Sequence, residues 1–506
     1  MNIFKEKSLY VTLTGLVVMG LIGSAQAVSL NPAGLGQVLI YPYYTVRGDA
    51  SGVRTFNSLI SVVNKTEVGK AVRVRFLEGK ASQEVLDFNL YLSPHDVWTS
   101  AITPSNDGSG AMLKTDDKSC TSPPIPAEGV QFRNYLYIDA NADREDATLD
   151  RTKEGYVEII EMADIIPGTS TEKNVTHTRV NNEYKPLDCN WISETWGVIP
   201  AWVATDLTTG TGGLFGSMIL INPNDAQDIA YEAVALDGFF SAPTPGANLW
   251  RPSGTIEPDL NLASPKISTV VNGTDEYITN WNEGIDAVSA VLMNASVSNE
   301  YVLEDSVAAK TDWIITMPTK KYYYSAPDWS KIRPLIPDYH LFQRDFTSGG
   351  ACDELMIAQY NREESSARTD DAGGFPEPPP KPPTALCWGA NVVTFGKTFD
   401  TESIFYAQNR FTLLTSFDNG WAEFTLSSDS HYLTATGSTQ HIDLSTSPQT
   451  NTNITGYVYR GLPMVGFAVQ QFNNGEVSST VVPGATVWAS YAGRIAHHFE
   501  KNIALP

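Results

Sequence analysis

Apolar and polar residues alternate with a period of two along much of this chain. Val72, Val74 and Phe76 alternate with Arg73 and Arg75. Leu86, Phe88, Leu90 and Leu92 alternate with Asp87, Asn89 and Tyr91. Successive strand side chains point to opposite faces, so each apolar set is predicted to face a core and both arginines to face water. Residues 58–63 read as a more uniformly apolar strand, and Asn64 to Gly69 as a turn. Residues 217–238 repeat the order found in 58–79: strand, Asn-led turn, strand, then Leu-acidic-Gly. The offset of about 160 residues is a domain length rather than a solenoid period. A duplicated sandwich hairpin and two hairpins with common turn chemistry both account for it.

The C-terminal third has the same period. Phe411, Leu413, Thr415 and Phe417 share a face, Asp418-Asn419-Gly420 is a hairpin signal, and Ala422, Phe424 and Leu426 then alternate with Trp421, Glu423 and Thr425. A second hairpin is predicted from 467–472 through Asn473-Asn474-Gly475 to 477–482. Residues 487–491 follow as a last strand that leads into a short terminal helix. Ile285, Val288, Val291, Leu292 and Ala295 recur at helical spacing, and strand character resumes from Trp313 to Met317, where Pro318 ends it. The predicted fold class is mainly β: two antiparallel, immunoglobulin-like β-sandwich domains over 28–252 and 284–506, with a short helical insertion and long loops. Residues 253–283, rich in Pro, Asn, Gly and Ser, read as a linker, and 361–384 as a Pro-rich, charged surface loop.

The N-terminus carries an address. Lys5 and Lys7 precede an apolar run from Leu9 to Ile22, and Ala25-Gln26-Ala27 fits a small-x-small cleavage site. This predicts a signal peptide over 1–27 with Val28 as the first mature residue. The run falls short of the ~20 residues that a membrane span needs, and no later segment reaches that length. Localisation is expected to be extracellular or cell-surface, with the periplasm as the alternative. An even count of four cysteines suits an oxidising compartment. Three pairings exist. Cys120–Cys189 and Cys352–Cys387 are favoured, because each pair is nearest in sequence and lies in polar, loop-like surroundings. No cysteine has zinc spacing.

Composition narrows the function classes. A hydrophobic content of 42% with 18% charged residues excludes a disordered chain. A formal net charge of −23 argues against nucleic acid, whose phosphates need clustered Lys and Arg.

Few constellations suit chemistry. Asp139, Asn141, Asp143, Glu145 and Asp150 place oxygen ligands at the spacing a hard cation such as calcium uses. Arg144 stands where an EF-hand loop needs Gly, and the twelfth position is Asp rather than Glu, so the simpler account is a solvated acidic loop. Beyond this calcium candidate no cofactor is expected. Glu158 and Glu161 would form a catalytic carboxylate pair only on a helix, and their surroundings read as a strand. The seven histidines, His95, His177, His340, His431, His441, His497 and His498, lie outside any HExxH pattern. There is no GxSxG nucleophile elbow. Gly210 to Gly216 is Gly-rich but precedes a strand, which makes it a turn. Among the tryptophans Trp98, Trp202, Trp250, Trp329, Trp388 and Trp421, most are assigned to packing. Trp421 falls on an outward face, where an exposed ring can stack on a sugar.

Asn31-Pro32-Ala33-Gly34-Leu35-Gly36-Gln37-Val38-Leu39-Ile40-Tyr41-Pro42-Tyr43-Tyr44-Thr45 resembles the start of a group of exported, uncharacterised proteins of Gram-negative bacteria. Residues 151–158 (Arg-Thr-Lys-Glu-Gly-Tyr-Val-Glu), 311–320, 419–421 and 461–467 resemble further pieces of that group. The resemblance implies a bacterial envelope or extracellular protein and brings no catalytic residues with it. The expected function is therefore a non-catalytic cell-surface or extracellular protein, structural or adhesive. Its partners would be other surface proteins, further copies of itself or glycans. A carbohydrate-binding protein or glycoside hydrolase is the alternative, and a periplasmic binding component is a third reading.

Overall fold

The alternating runs fold as strands, and the chain is mainly β, built from several antiparallel sheets. The computed structural model describes residues 26–193, 201–324, 341–343, 345–368, 384–426, 430–446, 448–478, 481 and 484–505. Most of the predicted leader, residues 369–383 of the Pro-rich loop, Trp329 and His340 lie outside the described residues. The N-terminal half contains strands β1 (Val38–Thr45), β2 (Asn57–Asn64), β3 (Gly69–Glu78), β4 (Glu84–Leu92), β5 (Val97–Pro104), β6 (Glu154–Ile165), β7 (Leu214–Asn222), β8 (Gln227–Glu232) and β9 (Val234–Asp237). The first sheet runs Ser29–Leu30, β9, β1, β6, β3, β4, Cys120–Ser122. The second runs β8, β7, β2, β5, Ala111–Lys114, Val130–Gln131. Leu39, Val74, Phe76 and Ile159 of the first sheet share a core with Ile60, Val62, Trp98 and Met218 of the second. Each such side chain contributes about 1.5–3 kcal/mol by leaving water.

Arg73 and Arg75 correct the expectation drawn from alternation. Every residue of β1, β3 and β6 is buried, both arginines included. The first sheet is covered on both faces, so an arginine there must take its partners into the interior. Arg73 donates to Asp87 at 2.6 Å, and to the Pro252 and Glu257 carbonyls at 2.7 Å each. Arg75 donates to Glu84 at 2.6 Å and Glu158 at 2.9 Å. The period was legible; the second covering layer was not.

The central strands are also where glycine is needed. The β6–β1 register shifts between Gly155 and Val157, a bulge. A Cβ at Gly155 would run into the Leu77 carbonyl of β3.

The second half contains β10 (Ile267–Asn272), β11 (Asp275–Asn280), a helix (Gly284–Leu292), β12 (Ser296–Val302), β13 (Lys310–Thr316), β14 (Asp353–Asn361), β15 (Ala390–Gly396), β16 (Arg410–Leu414), β17 (Asn419–Leu426), β18 (Ser438–Asp443), β19 (Thr450–Thr455), β20 (Val465–Ser478), β21 (Thr486–Ala496) and β22 (His498–Glu500). A middle sheet runs β16, β15, β13, β20, β21. Ile314, Val392, Phe467 and Val469 on one of its faces join the N-terminal core, with Phe467 packed 4.7 Å from Tyr231. On the other face Trp313 meets Phe424 at 4.8 Å. Phe424 belongs to an outer sheet ordered Ser366–Arg368, β14, β17, β12, β22. This half also holds a four-stranded sheet, β10, β11, β18, β19, a three-stranded sheet of Tyr432–Thr434, Val458–Arg460 and Asn502–Ala504, and a short pair of Met293–Asn294 with Leu462–Pro463.

Several sequence expectations change here. Residues 253–283 are no simple linker: they hold β10 and β11, bury Val270 and Tyr277, and receive Val28 in a bridge to Ser268. Residues 58–79 form a crossover between the first two sheets, whereas β7 and β8 form a true hairpin, so the two stretches differ in topology. What they share is turn chemistry. Buried Asn64 donates to the Val68 carbonyl at 2.8 Å, and buried Asn222 to Asp225 at 2.8 Å. Asp418-Asn419-Gly420 links two sheets and closes no hairpin, because β16 pairs in parallel with β15 and β17 pairs with β12 and β14. Asn473-Asn474-Gly475 is a bulge within β20, where the register against β21 shifts between Asn473 and Glu476. The helix stops at Leu292, short of Ala295. The expected terminal helix is instead β22 followed by the strand Asn502–Ala504.

Candidate functional site

The calcium candidate is dispersed among cations. Fully buried Asp143 accepts both terminal nitrogens of Arg151, at 2.9 and 2.7 Å, and Arg151 also reaches Glu78 at 3.0 Å. Glu145 pairs with Lys80 at 2.7 Å, and Asp150 with Arg47 at 2.7 Å and Lys153 at 2.9 Å. Asn141 donates to the Tyr135 carbonyl, and Asp139 has a positive φ of 51°. Among the described residues, no three His, Cys, Asp or Glu side chains gather as a metal would require. Arginine and lysine supply the positive charge that the sequence pattern reserved for an ion.

Glu158 and Glu161 lie on strand β6, as their surroundings predicted, and each has its own cation. Glu158 meets Arg75. Glu161 meets Lys70 at 2.8 Å, and Lys70 also donates to Asp164 at 2.5 Å and Thr211 at 3.0 Å. Burial outweighs the attraction of Lys70 and holds Glu161 above the usual carboxylate range, at about 7. The Gly212 N–H caps its other oxygen at 2.8 Å, so the Gly-rich turn serves this buried cluster.

One constellation escaped sequence reading because its members are far apart. Ser93, Asp96 and His177 meet near Cys120 and carry the residue types of a hydrolytic triad. A triad needs Ser and Asp on opposite ring nitrogens. Here both approach Nδ1, Ser93 Oγ at 3.1 Å and Asp96 at 3.4 Å, and Ser93 Oγ also bonds Asp96 at 3.1 Å. That geometry cannot relay a proton from Ser93 through the imidazole. His497 is interior too. It donates Nε2–H to the Ile314 carbonyl at 3.1 Å and accepts from Asn299 at 3.0 Å.

The outer sheet presents a different surface. Ala422, Phe424 and Leu426 of β17 are buried, and Trp421 on the opposite face is 41% exposed. Trp421 opposes Tyr360 of β14 on one side and Glu300 of β12 on the other. The Trp421 and Tyr360 rings stack with centroids 4.4 Å apart at 13°. One row along, Glu423 lies between Ala358 and Ser298. In the next row Thr425 opposes Ser296, which opposes Glu500 of β22. Beside these rows is an open cavity of about 420 Å³ lined by Ser296, Glu423, Thr425, Glu500 and Asn502. The nearby Lys501 ammonium is committed to the carbonyls of Val291 at 3.0 Å and Met293 at 2.8 Å, at the helix C-terminus.

Comparison with family models, curated proteins and solved structures finds no match. The chain's own geometry therefore carries the functional reading. Both disulfides, Cys120–Cys189 and Cys352–Cys387, form as expected from the sequence. Among the described residues no helix is long and apolar enough to cross a membrane. Of the tryptophans assigned to packing, Trp98 is fully buried and Trp250 nearly so, its indole N–H donating to the Tyr91 hydroxyl at 3.0 Å.

Proposed function

We propose that this chain is an exported, non-catalytic envelope or extracellular protein, structural or adhesive, that works by presenting surface. The disulfides suit an oxidising compartment. Glu158 and Glu161 of the candidate catalytic pair, and Asp143, Glu145 and Asp150 of the candidate metal loop, are each paired with an arginine or lysine. The observation that carries the reading is the open edge of the four-stranded sheet. Among the described residues β19 pairs only with β18, and all six of its residues, Thr-Asn-Thr-Asn-Ile-Thr, are exposed. Such an edge offers unpaired N–H and C=O groups, and β19 has none of the Lys, Pro or bulges that proteins use to block strand addition. Light scattering on the purified mature chain tests this. Assembly that Thr452→Pro and Ile454→Lys abolish is expected; a strictly monomeric product that binds neither cells nor matrix overturns it.

A carbohydrate-binding reading has its own support in the exposed Trp421, stacked on half-buried Tyr360, since aromatic faces take up the apolar faces of sugar rings. A glycan array decides whether it stands.

A further inference from the structure

We propose that the outward face of β14, β17 and β12 binds a basic, amino-sugar oligosaccharide, with Trp421 and Tyr360 as the stacking platform and Glu300, Glu423 and Glu500 as receptors for its ammonium and hydroxyl groups. This rests on the carbohydrate-binding reading and names its surface and ligand class.

The contrast between the two ends of the molecule is the starting point. In the N-terminal half, Asp143, Glu145, Glu158 and Glu161 each have an arginine or lysine within 3 Å. Glu300, Glu423 and Glu500 have no ion pair or side-chain hydrogen bond among the described residues. Among the described residues the lysine at this face, Lys501, is tied to backbone carbonyls, and Arg368 and His498 stand at the two ends of the Glu423 row, beyond Ala358 and Ser298. Three carboxylates on adjacent strands with no ion pair among the described residues, in a chain of net charge −23, repel acidic ligands and favour a cationic one.

The rings decide what kind of cation. A stacked Tyr–Trp pair is a rigid apolar wall, and an indole face attracts both the C–H face of a pyranose and an ammonium group. Glu300 stands directly across from Trp421, so a sugar against the indole places its amine or hydroxyls within reach of a carboxylate. Neighbouring strands are about 4.8 Å apart and same-face rows about 7 Å apart. The rings, Glu423 and the cavity at Glu500 therefore span roughly 14 Å along the strands, which suits an oligomer better than a monosaccharide. The floor between them is small and hydroxyl-bearing, Ala358, Ser298, Ser296 and Thr425, and leaves room for a rigid chain. A basic peptide would gain little here, because the face lies in the interior of a sheet and its backbone groups are already paired.

The test is isothermal titration of the mature chain with glucosamine hexamer, cello-hexaose, an oligogalacturonate and oligolysine. We expect the amino-sugar hexamer to bind most tightly, glucosamine monomer at least tenfold more weakly, and the oligogalacturonate not at all. Trp421→Ala should weaken hexamer binding at least tenfold and Trp421→Phe by less. Glu423→Gln and Glu300→Gln should each weaken it several-fold and flatten its salt dependence. Hexamer binding that survives Trp421→Ala overturns this surface but leaves the carbohydrate reading. Equal binding of oligolysine overturns the ligand class. Silence across the glycans removes both, without touching assembly through β19.

Discussion

His497 offers a measurable coupling between pH and stability. Its ring is buried against Trp313, with centroids 5.2 Å apart, and both nitrogens are used by neutral partners. Burial chiefly, with smaller repulsion from His498 and Arg494, holds its pKa at about 3 against an ordinary 6.5. The unfolded chain takes up a proton below 6.5, and the folded chain does not until about 3, so acid favours unfolding. Integrating that difference gives a loss of about 2 kcal/mol by pH 5, rising to about 4 kcal/mol by pH 3. Glu161 works the other way. Its folded value of about 7 lies above the 4.5 of a free glutamate, so its term stabilises as pH falls through 7 toward 4.5. The two terms offset in the wild type, and only a difference isolates the histidine. His497→Gln keeps an amide donor for Ile314 and an acceptor for Asn299 but cannot titrate. In urea unfolding, the stability advantage of wild type over His497→Gln should shrink by about 2 kcal/mol between pH 7 and pH 5. A difference that stays constant to within about 0.5 kcal/mol would refute the argument.

Two further outcomes follow from the buried charges. Lys70→Met leaves Glu161 and Asp164 in the interior without their cation and should cost about 3–5 kcal/mol, read as a lower urea midpoint at an unchanged slope; a loss under 1 kcal/mol would mean that the cluster is hydrated. Because Asp143, Glu145 and Asp150 are paired with Arg151, Lys80, Arg47 and Lys153, neither calcium nor EDTA should move the thermal midpoint, and a calcium-dependent rise would show that the loop opens to ligate it.

Strand positions and the direction of Trp421 were legible because a two-residue period survives any tertiary context. Both disulfides were legible because sequence proximity and polar surroundings left one natural pairing. Layering was not. Nothing in Val72–Arg73–Val74–Arg75–Phe76 distinguishes a half-solvated strand from one covered twice, since the partners of Arg73 lie at Asp87, Pro252 and Glu257. Turn signals misled where Asn-Gly recurs outside hairpins: at 419–420 it joins two sheets, and at 474–475 it forms a bulge. The Ser93–His177 contact and the three glutamates without an ion pair among the described residues were invisible for one reason. Each depends on which strands become neighbours, and local pattern does not fix that order.

The sharing of one core by both halves has a kinetic consequence. Thr316 Oγ1 donates to the Pro42 carbonyl at 2.6 Å, and buried Glu154 accepts the Gln408 and Asn409 N–H groups at 2.9 and 3.2 Å. Synthesis runs from the N-terminus, so the residues around Tyr41 emerge hundreds of positions before the partners that shelter them. Their apolar strands must wait, sticky and unfinished, until the last third arrives. The connectivity therefore favours slow maturation, and a truncation near residue 400 would remove Phe405, Phe467 and Val469 from the core and strand the beginning of the chain as surely as the end.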